Sequence, residues 1–124
     1  MSGRRSMRVH NAYREYRRTL GNSCQFCEID ESSIVGESDI YVIRNVFPYE
    51  TWDGGNVINH LLVIPKHHVE SLKDFTYKEL KAWIEAISHY EHQGYSIYTR
   101  GPGSQAKSVV HHHTHLILTE KRKQ

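Results

Sequence analysis

His111-His112-His113-Thr114-His115-Leu116-Ile117-Leu118 is the stretch on which the fold of this chain turns. In an extended strand successive side chains alternate faces, and a two-residue step spans roughly 6.6 Å. The pattern therefore predicts a final strand over residues 108–119. His111, His113 and His115 would form a row on one of its faces, with His112 and Thr114 on the other. Imidazole is the one side chain whose ordinary pKa, about 6.5, lets it act as nucleophile, proton carrier or metal ligand near neutral pH. A purification-tag remnant is the bland alternative. It fits poorly, because Val109-Val110 lead into the run and an apolar strand end follows it.

Upstream, His60-Leu61-Leu62-Val63-Ile64-Pro65 has the length and composition of a buried strand ended by proline. Ser33 to Glu37 and Ile40 to Asn45 read as a hairpin, and residues 46–60 as a loop rich in Pro, Gly and Asn. Thr76 and Glu79 form a capping box, in which each side chain satisfies a free N–H of the first helical turn. The apolar stripe Leu80, Trp83, Ile84, Ile87 behind it predicts the main helix, ending near Gly94. Residues 95–100 alternate as a strand. Val9, Ala12, Tyr13, Tyr16 and Leu20 predict an N-terminal helix over 7–20, stopped by Gly21-Asn22. This order of elements implies α+β architecture with an antiparallel sheet.

The 124 residues suit one compact domain (21–124) preceded by a basic helical arm (1–20). Net charge is +2, but unevenly spread. Residues 1–18 carry six arginines against one glutamate (+5), residues 119–124 carry three bases against one acid (+2), and the remainder is −5. A nucleic-acid protein concentrates positive charge on its folded body, so these ends read as solvated arms and nucleic acid is not the expected partner. No run approaches the roughly 18 apolar residues of a membrane helix, and a cytoplasmic location is expected.

Two cysteines, Cys24 and Cys27, exclude a disulfide framework. A redox pair would sit between a strand and a helix, and no long buried strand precedes Cys24, which leaves metal as the favoured reading. Tetrahedral zinc commonly takes two close pairs of Cys or His ligands. His60 and His111 are the natural second pair by spacing, although His60 taken alone would more often be a structural histidine.

The segment His111 to Ile117 resembles the His-φ-His-φ-His-φ-φ signature of the histidine triad nucleotide hydrolases and transferases. His60 to Pro65, followed by Lys66-His67-His68, looks like that family's second hallmark, a histidine opening a strand that closes in Pro-Lys-x-His. Cys24-Gln25-Phe26-Cys27 is similar to the N-terminal motif of its zinc-containing members. The three motifs stand in the family's order and cover the chain from Cys24 to Leu118.

The resemblance implies a five-stranded antiparallel sheet packed on one main helix, with the N-terminal helix added, and a homodimer in many members. It implies a purine nucleotide substrate. His113 would be the nucleophile on the α-phosphorus, His115 the partner that holds the departing group, and zinc the metal on Cys24, Cys27, His60 and His111. Ser108 matches a serine before the triad. Asn45 matches a ribose-contacting asparagine, and Arg100 stands where an asparagine often holds substrate. Lys107 is close enough in sequence to donate to phosphate. Residues 51–59 look like an insertion that could reshape the pocket. The expected activity is cleavage of a phosphoramidate or dinucleoside polyphosphate to a nucleoside monophosphate. Three alternatives stay open: a dinucleoside-tetraphosphate phosphorylase-like transferase, suggested by Phe47-Pro48-Tyr49; a nucleotide-binding protein with little turnover; and a metalloenzyme with zinc on His111, His113 and His115.

Overall fold

The computed structural model describes residues 4–21, 23–105 and 109–120. Among these residues two α-helices and six strands follow in the order α1 (Met7–Leu20), β1 (Ile34–Glu37), β2 (Ile40–Arg44), β3 (Thr51–Trp52), β4 (Gly55–Pro65), α2 (Tyr77–His92), β5 (Ser96–Thr99) and β6 (Thr114–Thr119). Every strand pairing is antiparallel, in the order β1-β2-β4-β6-β5, and the short β3 adds to β4. The α+β expectation holds. The sheet has one more strand than the five expected, and the extra one lies in the stretch read as a loop.

The alternation of β2, β4 and β6 divides the molecule into two faces. Ile40, Val42, Leu61, Val63 and Leu116 point to α2, whose Ala82, Trp83, Ile87 and Tyr90 cover them. Removing that much apolar surface from water is the main reason the helix stays on the sheet. Ile43, Leu62 and Ile64 point the other way, where Phe26, Val109 and the Cys24 turn close a second, smaller core. His60 shares this second face of β4, and His115 shares it on β6.

Local chemistry fixes the helix starts. Thr76 Oγ1 accepts from Glu79 N at 3.1 Å, while Thr76 N donates to Glu79 Oε1 at 2.7 Å. Glu79 is buried, and its other oxygen lies 2.9 Å from His67 Nδ1. That contact ties the loop after β4 to the start of α2. Ser6 caps α1 by accepting from Val9 N.

Two sequence expectations are corrected. Residues 46–60 are only partly loop: β4 starts at Gly55, and Asp53-Gly54 joins it to β3 as a two-residue turn. Both turn residues have positive φ, 51° and 78°, which a tight hairpin of this kind demands. The outer edge of β3 takes up the N-terminal segment, with Arg4 N donating to Thr51 O at 2.9 Å. The last strand is shorter than the expected 108–119. Pairing of β6 with β4 stops at Thr114 opposite Val63. Before that point the His112 amide donates to Val69 O at 2.7 Å, and the ring of His111, not its backbone, meets Pro65 O. The first three histidines therefore lie in an irregular lead-in to β6. Among the described residues no helix is long and apolar enough to cross a membrane.

Candidate active site and metal site

Cys24 and Cys27 stand on a tight turn in which Cys27 N donates to Cys24 O at 3.2 Å. Their sulfurs each lie 3.5 Å from His111 Nδ1, and Cys27 Sγ lies 3.4 Å from His68 Nδ1. All four ligand atoms fall within 4.8 Å of one another. Tetrahedral zinc, with bonds of about 2.3 Å to sulfur and 2.0–2.1 Å to nitrogen, would separate sulfur from nitrogen by about 3.6 Å. The observed spacings fit that edge. His111 Nε2 donates to Pro65 O at 3.0 Å, which puts the ring's lone pair on Nδ1, the atom facing the sulfurs. Cys24, Cys27, His68 and His111 can hold a metal ion.

His60, expected as the fourth ligand, is not in this cluster. His111 sits at the Pro65 end of β4, whereas His60 is five residues back along the strand, roughly 16 Å away in an extended chain. His68, beyond the proline, takes the position instead.

His60 is part of a different arrangement. Tyr49 N donates to His60 Nδ1 at 3.1 Å, so the ring proton of His60 is on Nε2. That nitrogen lies 2.8 Å from His115 Nδ1, which must accept, and His115 in turn carries its proton on Nε2. One backbone amide thus sets the tautomers of two buried rings. Burial holds the pKa of His60 down to about 3, with Arg5 and His113 adding to the effect. His115 is held well below the ordinary value, first by burial and then by His113, His60, Arg100 and Arg5. Both rings are neutral at pH 7, as the donor chain requires.

His113 is oriented by its neighbour. Its Nδ1 donates to His111 O at 3.0 Å, which leaves the lone pair on Nε2. Thr99 Oγ1 donates to His113 O at 2.8 Å, and Phe26 packs against the ring with centroids 5.0 Å apart. Tyr98 stacks on His115 at 4.2 Å and 6°. A cavity of about 340 Å³ opens beside these rings, lined by Arg5, Asn45, Tyr49, Arg100, His113 and His115 among others, with no carboxylate among the described residues that line it.

No family model matches the chain. Solved structures do match. A HIT family hydrolase from Legionella pneumophila Philadelphia 1 aligns with a TM-score of 0.56 at 21% identity, over 80% of this chain and 95% of that one. A histidine triad protein from Clostridium difficile aligns with a TM-score of 0.51 at 26% identity, over 83% and 95%. A histidine triad nucleotide-binding protein from Candida albicans gives 0.55 at 19% identity, over 82% and 84%.

The chain has the histidine triad fold.

Within this fold the remaining expected residues are placed as follows. Asn45 lines the cavity, its Oδ1 accepting from Phe47 N at 2.9 Å and its Nδ2 3.4 Å from the His60 ring. Arg100 also lines it, its guanidinium 5.6 Å from the Tyr98 ring centroid. Lys107 and Ser108 lie outside the described residues. His112 faces away from the cavity, edge-on to Phe75 with its Nε2 3.1 Å from Thr114 Oγ1. Sequence reasoning missed Arg5 and Tyr49 as lining residues of the cavity, and Tyr98 as the ring stacked on His115. Tyr98 gave no signal, since an aromatic residue in a strand reads first as core, and Tyr49 stood out only as part of the Phe47-Pro48-Tyr49 loop. His68 carried one: it closes the Pro-Lys-x-His motif, beyond the Pro65 end of β4, whereas His60 lies five residues before that end.

Proposed function

We propose that this protein is a nucleotide hydrolase that forms a covalent nucleotidyl intermediate on His113 and releases a nucleoside monophosphate. The observation that carries the reading is the assignment of ring protons. His113 has its lone pair on Nε2 because Nδ1 is committed to His111 O, and His115 has an N–H on Nε2 because Nδ1 accepts from His60. A ring nitrogen lone pair and a neutral donor side by side are what stepwise displacement at phosphorus uses.

In the first step His113 Nε2 attacks the α-phosphorus. The bond from phosphorus to the leaving group breaks and its electron pair departs with that group, which His115 Nε2–H meets as a hydrogen-bond donor. In the second step water attacks the same phosphorus. The phosphorus–nitrogen bond breaks, its pair returns to His113 Nε2, and the proton of water passes to solvent. Asn45 is assigned to the ribose side of the cavity. Trapping the reacting phosphate between fixed donors, with few waters to reorganise, lowers the barrier by positioning and electrostatics.

The metal in this reading is zinc, which two thiolates and two imidazoles suit. When bound it supplies a structural cross-link between the Cys24–Cys27 turn, the loop after β4 and the lead-in to β6. Its effect on chemistry is indirect: fixing His111 fixes the carbonyl that orients His113.

The test is incubation of the purified protein with adenosine and guanosine phosphoramidates and with dinucleoside tri- and tetraphosphates, followed by mass spectrometry. Monophosphate release and a nucleotidyl adduct mapped to His113 are expected. Saturable binding with no turnover across the panel would replace this reading with that of a nucleotide-binding protein.

A further inference from the structure

Two guanidinium groups reach the cavity from parts of the chain far apart in sequence, and both arrive on the side of His115. Arg5 precedes α1. Its backbone neighbour Arg4 is pinned to β3 by the bridge to Thr51, and Arg5 Nε donates to Phe47 O at 2.6 Å. The Arg5 guanidinium carbon then lies 4.5 Å from the Tyr13 ring centroid and 5.0 Å from that of Tyr49. Arg100 follows β5 and lies over Tyr98. Tyr49 and Tyr98 are near-parallel to the His115 ring, at 13° and 6°, and their hydroxyls are 2.7 Å apart. Trp52, from the unexpected hairpin, stacks on Tyr98 at 4.7 Å and 12°. The hairpin of residues 51–59 thus both grips the arm that carries Arg5 and backs the ring under Arg100.

Resting on the hydrolase reading above, we propose that Arg5 and Arg100 bind the leaving group, and that the leaving group is itself a phosphate or polyphosphate. The substrate would then be a nucleotide whose α-phosphate is joined to further phosphates, not a phosphoramidate. An amine departs without negative charge and asks only for a proton, which His115 Nε2–H can offer. A phosphate departs as an anion. Planar guanidiniums in a cavity with no carboxylate among its described lining residues match that charge and its oxygen geometry. Both arginines act on His115 electrostatically, adding to the burial and the neighbouring histidines that keep it neutral.

The test uses Arg5→Gln, which removes the charge while keeping an N–H for Phe47 O, and Arg5→Lys, which restores charge. With diadenosine triphosphate, Arg5→Gln is expected to lower kcat/KM by about tenfold or more, the effect of losing a charge-assisted hydrogen bond, with Arg5→Lys recovering much of it. With adenosine 5′-phosphoramidate the same change should stay within about threefold, because no bond to a leaving-group phosphate is lost. Equal losses on the two substrates, or a wild-type preference for the phosphoramidate, overturn the proposal. A binding arm in the His113→Ala background separates it from the hydrolase reading. There Arg5→Gln should weaken ATP about tenfold and leave AMP within about threefold. Equal effects on ATP and AMP overturn the arginine assignment alone. An arginine-dependent preference for ATP, in a protein whose wild type turns over none of the substrates, overturns the hydrolase reading alone.

Discussion

His111 and His113 are two residues apart, buried side by side against Phe26, and they use their ring nitrogens in opposite ways. His111 gives Nε2 to a backbone carbonyl and turns Nδ1 to two sulfurs. His113 gives Nδ1 to a backbone carbonyl and keeps its lone pair on Nε2. The two roles proposed for them, ligand and nucleophile, follow from which nitrogen the backbone claims. Identity and burial do not separate them. The same rule extends to His60 and His115, whose tautomers descend from the Tyr49 amide.

The sharpest way to break this division is to remove each member and ask which half of the site fails. His113→Ala should abolish turnover by on the order of 10⁴-fold or more while metal content, measured by elemental analysis, stays at the wild-type level. Loss of metal from that variant would instead favour direct coordination by the triad. His68→Ala should do the reverse, emptying the metal site and lowering Tm by several degrees, with His60→Ala retaining metal. His60→Ala should cost on the order of 10²-fold in kcat, since it removes the group that fixes His115.

How far these assignments were readable from the chain differs between the halves. The β1–β2 hairpin, both helices and the last strand from Thr114 onward were legible, because their periodicity and the Thr76–Glu79 cap act locally. The cluster that can hold a metal ion was legible in three of its four members. His60 and His68 both flank the same apolar run, and the contacts of His68 with Cys27 and of the Pro65 carbonyl with His111 show which end of β4 meets the cysteines. The β3–β4 hairpin was hidden for another reason. Asp53-Gly54 is a turn signal in either reading, but Trp52 finds its partner in Tyr98, 46 positions later, and no local pattern announces that stack. Arg5 was obscured by the arginines around it, which made a cavity-lining group look like part of a solvated arm.

A gentler probe is pH. His60 folds with its pKa lowered to about 3, and His115 is lowered as well, so the unfolded chain binds more protons than the folded one below about pH 6.5. Stability contributed by keeping these rings neutral is present above that pH and falls away as pH drops toward 3. Urea denaturation between pH 7 and pH 4 should therefore show a declining unfolding free energy, and His60→Gln should flatten the decline.

The smallest effect is expected on the opposite face of the sheet. Trp83 Nε1 donates to Thr114 Oγ1 at 2.9 Å, where Thr114 is fully buried. Trp83→Phe should lower stability by about 1–2 kcal/mol in chemical denaturation and leave metal content unchanged. A loss of metal there would mean the two faces are not independent.

The most direct measurement is nitrogen-15 NMR of the histidine rings in uniformly labelled protein at pH 7. His113 should appear as a neutral ring with its proton on Nδ1, and His111 as a ring with its proton on Nε2. Finding the two rings in the same tautomer, or His113 doubly protonated, would contradict the division of labour on which the whole account rests.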